Sequence, residues 1–221
     1  TDTGVDASKI TVILNGVEPL KKADFALKEE IRKEFGVTAD EKVVSIVARL
    51  EDIKGHEYFI DAANEILKDG INAKFFIAGT GSYENVLKEK VRRMGLEKNV
   101  IFTGFISGVD RLMNITDVQA NASYGTEATS LALLEGMSIG VPAVVSDFGG
   151  NPGVIKDGRN GFVVPKKNSS ALADGIRKLL TDDMLYDKLS EGAEEIFQKT
   201  FTARAMTQNT EDLYMKIINK N

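Results

Sequence analysis

The chain has no cysteine, which excludes disulfides, a thiolate nucleophile and any cysteine-ligated metal site. Histidine is nearly as scarce. His56 stands alone, so there is no His/Asp cluster with metal-ligand spacing. No Asp-x-Asp occurs either. We therefore expect no obligatory metal and no other cofactor. No apolar run approaches the length of a membrane span, and no signal-peptide pattern stands at Thr1. Charge of one sign is not concentrated. The net charge of −5 arises from interspersed acids and bases, and nucleic acid is not an expected partner. The densest basic stretch, Lys88-Glu89-Lys90-Val91-Arg92-Arg93, has apolar residues at helical spacing. It reads as a solvated helix face, with a patch for an anionic membrane as the alternative. A cytoplasmic location is expected, with peripheral attachment to a membrane held beside it.

What is present is ordinary for a globular protein: 43% apolar and 28% charged residues over 221 positions, enough for one large domain or a domain with an appendage. Short apolar runs alternate with amphipathic stretches. Strands are predicted at Val43–Ala48, Lys74–Ala78, Val100–Phe102, Val118–Ala120, Ala143–Ser146 and Phe162–Val164, mostly bounded by Gly, Asp or Asn. Between them, Phe59, Ala62, Ala63, Ile66 and Leu67 follow helical spacing up to Gly70; Val86, Leu87, Val91 and Met94 repeat it up to Gly95. Leu172, Ile176, Leu179 and Leu180 mark another helix, and the stretch from Thr181 onward adds helices but no strand. Alternation of this kind predicts an α/β fold, a Rossmann-like parallel sheet with helices on both faces.

Two acids carry the clearest chemical signal. Glu127 and Glu135 bracket Ala128-Thr129-Ser130-Leu131-Ala132-Leu133-Leu134. At about 100° per residue, that spacing puts both on nearby faces of one helix. Thr129 or Ser130 as N-cap instead starts the helix between them, leaving Glu127 in the preceding loop. A helix N-terminus suits a phosphate, and flanking acids suit hydroxyls, so the combination points to a sugar nucleotide. Arg49 and Lys54 follow the first strand, where two cations can neutralise a diphosphate; ordinary surface cations are the alternative. Gly79-Thr80-Gly81-Ser82-Tyr83-Glu84 supplies only part of a dinucleotide fingerprint, since Glu84 stands at its third glycine. A tight turn lining a cleft, built on Gly79 and Gly81, is the better reading. Phe105 and Ile106 follow the third strand; core packing competes with a binding role there. His56 at a helix start is not expected to be a catalytic base.

The run Glu135-Gly136-Met137, Gly140-Val141-Pro142, Ser146-Asp147 and Gly149-Gly150, with Val47-Ala48-Arg49-Leu50, Lys54-Gly55, Asn15-Gly16-Val17-Glu18 and Gly158-Arg159-Asn160-Gly161 elsewhere, resembles the C-terminal donor-binding half of the retaining glycosyltransferases of family four (group 1), which have the two-Rossmann GT-B fold. The resemblance spans nearly the whole chain. Two positions depart from it: Gly153 stands where the family often has an acid, and Ala128-Thr129 replaces a common Gly-aromatic pair. The resemblance implies an interdomain linker and domain start over 1–18, a nucleotide-sugar-binding domain over 19–200, and a helix over 201–221 that packs on the other domain. It implies that Arg49, Lys54 and the backbone N–H groups of Thr129, Ser130 and Leu131 bind the donor diphosphate. It assigns the ribose to Glu135, the nucleobase to Phe105 and Ile106, and donor-sugar positioning at the catalytic centre to Glu127. The donor would be a nucleotide diphosphate sugar, and an acceptor glycan or lipid would be held by an N-terminal half with no counterpart here. The chain is accordingly expected to be a piece of a longer enzyme, inactive by itself. A sugar-nucleotide epimerase or hydrolase of the same architecture, or a non-catalytic nucleotide-sugar-binding module, are the alternatives.

Overall fold

The computed structural model describes residues 4–219; the outer ends of the expected linker (1–3) and C-terminal helix (220–221) lie outside them. The strands are β1 (Lys42–Val47), β2 (Ala73–Ala78), β3 (Val100–Gly104), β4 (Val118–Asn121), β5 (Ala143–Ser146) and β6 (Gly161–Val164). They form one parallel sheet in the order β3-β2-β1-β4-β5-β6. The helices are α1 (Phe25–Glu34), α2 (His56–Lys68), α3 (Glu84–Met94), α4 (Val109–Ile115), α5 (Leu131–Met137), α6 (Asn151–Val154), α7 (Ser169–Thr181), α8 (Asp183–Ile196) and α9 (Ala203–Ile218). Each predicted strand is present, with ends moved by no more than two residues.

Alternation along the strands explains why the sheet is covered twice. Val44, Ile46, Phe75, Ile77 and Val144 point into a core shared with α2, α3 and α7. Their neighbours point the other way. Val43, Phe76 and Ala78 pack with Ile31 of α1 and Leu112 and Ile115 of α4. Ala143 and Val145 pack with Leu133, Leu134 and Met137 of α5 and with Phe197 and Phe201 of a π-helical turn after α8. Burial on both faces is what makes most of these strands read as nearly continuous apolar runs, with Ser45 and Gln119 as buried exceptions. The parallel sheet with helices on both faces is the Rossmann-like α/β architecture the sequence predicts.

Three helices escape the sequence reading: α1, α4 and the four-residue α6. In α1 only Ile31 is buried, while Phe25 and Leu27 are exposed. In α4 there are seven residues, too few for a helical period to declare itself. The basic run falls on α3, and its charges are paired: Lys88 with Glu84, Lys90 with Asp61, Arg92 and Arg93 with Glu89. That is how a solvated helix face distributes its charge. Val17 forms an isolated bridge with Thr202 and packs on the core beside Phe197 and Phe201, so the start of the domain meets the segment entering α9. Along α9 no residue is buried.

His56 opens α2, is buried, and has no hydrogen-bond partner on either ring nitrogen. Burial, and then the charge of Lys54, pushes its pKa down to about 4 from 6.5. The unfolded chain therefore takes up a proton between these values that the native ring refuses, and stability falls as pH drops through that window. Integrating the two titrations gives a loss of about 2 kcal/mol between pH 7 and pH 5. Urea titrations at both pH values should show this loss in the wild type and its removal in His56→Leu.

Candidate functional site

The strand order reverses between β1 and β4, because the chain runs outward from β1 to β3 and then returns to the centre. Such a reversal opens a crevice beyond the carboxyl ends of the strands. Here it is a cleft of about 530 Å³ lined by Val47, Ala48, Arg49, Ala78, Gly79, Thr80, Phe105, Ile106 and Leu131. Residues following β1, β2 and β3 thus meet the first residue of α5. The floor is mostly apolar, and the backbone of β1 and β2 reaches it directly.

Gly79 makes that close approach possible. Its φ is +140°, and a Cβ would lie 2.1 Å from the carbonyl oxygen of Ala48. A side chain would push the end of β2 away from the end of β1. Gly81 presses on the Leu50 carbonyl in the same manner but is not among the walls of the cleft. Phe105 stands 77% exposed at the cleft, which rules out core packing for its ring. Ile106 does both jobs: it lines the cleft and packs against the core beneath α1 and α4. Arg49 projects into solvent, paired with Glu51 at 2.9 Å.

Lys54 and Glu127 form a second group. The Tyr124 amide donates to the Ile53 carbonyl at 2.9 Å, which fastens the loop after β1 to the loop after β4. That seam brings Lys54 Nζ to 3.0 Å from Glu127 Oε2 and 2.8 Å from the Thr126 carbonyl. Both side chains are nearly buried, at 12% and 8% exposed. Glu127 Oε2 also accepts from Ser123 Oγ at 2.9 Å and from Asn121 Nδ2 at 3.3 Å. The described hydrogen bonds to this carboxylate thus all converge on one oxygen. Of the three donors of the Lys54 ammonium, two are engaged.

Glu127 lies in a loop, and α5 begins after it at Leu131, with Ser130 in the cap position. Ser130 is the N-cap, one of the two residues expected there, but its side chain makes no capping bond, so the first N–H groups of α5 are not closed off by it. Thr129 and Ser130 lie in the chain between Glu127 and Leu131, which is a wall of the cleft. Glu135 lies one turn inside α5, half-buried and outside the walls of the cleft; burial pushes its pKa up. Ser138 Oγ donates to the Glu135 carbonyl at 2.5 Å and accepts from the Leu20 amide at 2.9 Å, anchoring α5 to the start of the domain.

Of the predicted residues, Arg49, Gly79, Phe105, Ile106 and Leu131 line the cleft and Lys54 and Glu127 form a buried ion pair, while Gly81, Thr129, Ser130 and Glu135 are in neither set. Asn121 and Ser123 were not singled out from the sequence. Their available signal was position: polar residues at and just past the carboxyl end of a buried strand, where ligands of open α/β sheets bind. Among the described residues, no group of three or more His, Asp or Glu is arranged to hold a metal ion. No helix among them is long and apolar enough to cross a membrane.

Comparison with known proteins places the fold in a family. The chain is 32% identical over 211 residues to an uncharacterized glycosyltransferase of Methanocaldococcus jannaschii, covering 93% of this chain and 54% of that protein. It is 30% identical over 203 residues to the alpha-D-kanosaminyltransferase of Streptomyces kanamyceticus, covering 90% and 52%. The crystal structure of Anabaena HepE in complex with UDP and glucose superposes with a TM-score of 0.88 at 25% identity, over 96% of this chain and 58% of that one. The chain spans about half the length of the curated relatives it matches. The family described as glycosyl transferases group 1 matches residues 27–196. Three-quarters of the chain thus carries the family pattern on the fold expected for it, and the chain belongs to the group 1 glycosyltransferases.

Proposed function

We propose that this chain is the donor-binding half of a retaining glycosyltransferase that moves a sugar from a nucleotide diphosphate sugar to an acceptor hydroxyl. The observation that carries this reading is the cleft at the strand-order reversal, with Phe105, Ile106, Gly79 and Arg49 on its walls and the Lys54–Glu127 pair beyond α5's first turn. The HepE structure with UDP and glucose supports a nucleotide sugar as the donor.

On this reading the base rests between Phe105 and Ile106, and Glu135 accepts the vicinal ribose hydroxyls. The diphosphate lies near Arg49, Lys54 and the amides of Thr129, Ser130 and Leu131. The remaining donor of Lys54 serves a phosphate oxygen, while Glu127 holds donor-sugar hydroxyls. As the C1–O bond breaks with oxocarbenium character, negative charge grows on the leaving diphosphate. Fixed cations and amides stabilise it where it develops. Residues 1–18 serve as linker, 19–200 as the donor domain, and 201–221 as the helix that reaches the other domain, which would hold an acceptor glycan or lipid. The protein works in the cytoplasm or at the membrane surface, without a metal or other cofactor.

Calorimetry with UDP, GDP and ADP tests the donor site; no binding of any of them at millimolar concentration would overturn it. Glu135→Ala should weaken binding of the matching nucleotide about tenfold to hundredfold, the value of a hydrogen bond to a charged group. The 2′,3′-dideoxy ligand should not respond to the substitution, and an equal loss with both ligands would refute the ribose assignment. Because burial raises the Glu135 pKa, ribose-dependent affinity should begin to fall on acidification above the ordinary carboxylate range.

A further inference from the structure

Behind Glu127 lies a run of polar side chains that the donor site itself does not use. Asn121 ends β4, Ser123 follows it, Ser146 ends β5 and Asn151 opens α6. Each is buried, with at most 6% of its surface exposed. Buried polar groups of this kind are expensive unless their hydrogen bonds are made.

The bonds have one direction. Glu127 Oε2 can only accept, so Asn121 must turn Nδ2 toward it and Oδ1 away. That Oδ1 then accepts from the Ser123 amide at 3.1 Å and from Asn151 Nδ2 at 3.4 Å. Asn151 Nδ2 also donates to Ser146 Oγ at 3.0 Å, and Ser146 Oγ in turn donates to the Ser123 carbonyl at 2.5 Å. Ser123 closes the loop, since its own Oγ donates to Glu127 Oε2 at 2.9 Å. Turning Asn121 over would set its carbonyl oxygen against the carboxylate and its amide against two donors. Turning Asn151 over would do the same against Asn121. The amide orientations are therefore set in series by the charge at the end. Asn151 Oδ1 is left buried without a partner, the residue of keeping its amide nitrogen inward.

We propose that Asn151 is a positioning residue for Glu127, acting through Asn121, and that Ser123 and Ser146 complete the hydrogen-bonded frame that holds the carboxylate. The proposal rests on the reading that Glu127 takes donor-sugar hydroxyls. The frame ties the ends of β4 and β5 into one rigid support. It leaves Oε2 committed to the protein, so the sugar is met by the carboxylate in a single orientation. Losing the frame should affect recognition of the sugar and leave recognition of the nucleotide in place, because none of its members lines the cleft.

The test is the ratio of affinities for a sugar nucleotide and for UDP, measured by calorimetry on the chain. UDP-glucose, UDP-galactose and UDP-N-acetylglucosamine are the probes, and the one with the largest ratio is carried forward. Asn151→Ala and Ser123→Ala should each lower that ratio about threefold to tenfold while UDP affinity stays within twofold, the span of one net hydrogen bond. In a Glu127→Ala background, Asn151→Ala should lower the ratio no further. Thermal melts accompany each variant; if Asn151→Ala does not fold, Ser123→Ala carries the comparison. A merely structural role would lower UDP and sugar-nucleotide affinity together, or act equally in both backgrounds, and either result overturns the proposal. If no probe differs from UDP, or Glu127→Ala leaves the ratio unchanged, the Glu127 reading fails and the proposal with it. If Glu127→Ala removes the ratio and neither frame variant changes it, the proposal alone fails.

Discussion

Lys54→Ala is expected to weaken UDP binding about tenfold to hundredfold and to lower folding stability by about 3 kcal/mol. The two effects have different origins. Lys54 lies almost buried against Glu127 at 3.0 Å, and the loop after β1 reaches that position only because it is fastened to the loop after β4. Removing one partner of a desolvated pair leaves the other charge without its counterion. Ser123 and Asn121 still donate to the carboxylate, which keeps the loss toward the lower end of what breaking a buried pair produces. The affinity loss follows from the ammonium donor that neither Glu127 nor Thr126 occupies. It should be larger for UDP than for uridine, since the charge it meets is the diphosphate. Equal losses for the two ligands would place Lys54 away from the phosphates. An unchanged urea midpoint would mean that the ion pair contributes nothing to the fold.

The second expectation is larger and concerns the reaction itself. Residues 1–221 alone should bind nucleotide and transfer no sugar at a measurable rate, with activity appearing when an upstream acceptor-binding half is present. Transfer requires the acceptor hydroxyl within about 3–3.5 Å of the reacting carbon and water kept out of the site. The cleft described here is an open wall: Phe105 is 77% exposed and Arg49 projects into solvent. In a two-domain enzyme the task of holding the acceptor belongs to the facing domain as it closes. Slow donor hydrolysis is the most the chain should show. A radiolabelled-donor assay with a crude acceptor extract, run on the chain and on a longer protein containing it, makes the comparison. Robust acceptor glycosylation by residues 1–221 would mean that a complete active site lies within them.

The architecture was legible in the sequence to an unusual degree, for a physical reason. A parallel sheet covered on both faces has strands that are apolar on nearly every residue, so Val43 to Val47, broken only by Ser45, or Phe75 to Ala78 stands out without any alternation to detect. Helices α2, α3 and α7 bury one full stripe each and declare their period. By contrast α1 buries only Ile31 and shows Phe25 and Leu27 to solvent, so its apolar residues do not outline a buried face. The site divided along the same line. Glu127, Glu135, Arg49 and Lys54 could be found because each stands in a recognisable local run. The contact between Lys54 and Glu127 could not, because the partners lie far apart in sequence and meet only through the seam between two loops. Asn121, Ser123 and Asn151 were not singled out for a related reason, and Ser146 stood out only as part of the family run. Singly they look like residues that end strands and start turns. Their meaning depends on which atoms of one amide face which atoms of the next, and that is fixed only after β4 and β5 are side by side.

The most direct test of the account is where a nucleotide lands. Backbone amide shifts recorded by NMR while UDP is titrated into the chain should move most at Ala48, Arg49, Gly79, Thr80, Phe105, Ile106 and Leu131, the walls of the cleft at the strand-order reversal. A smaller groove of about 330 Å³ at the β3 edge, lined by Lys88, Val91, Arg92 and Phe102, serves as the internal control and should stay silent. Saturable shifts confined to the cleft and the loop into α5 are the expected result. Shifts centred on the β3 edge, or none anywhere at millimolar UDP, GDP and ADP, would contradict the assignment of this chain as a nucleotide-sugar donor domain.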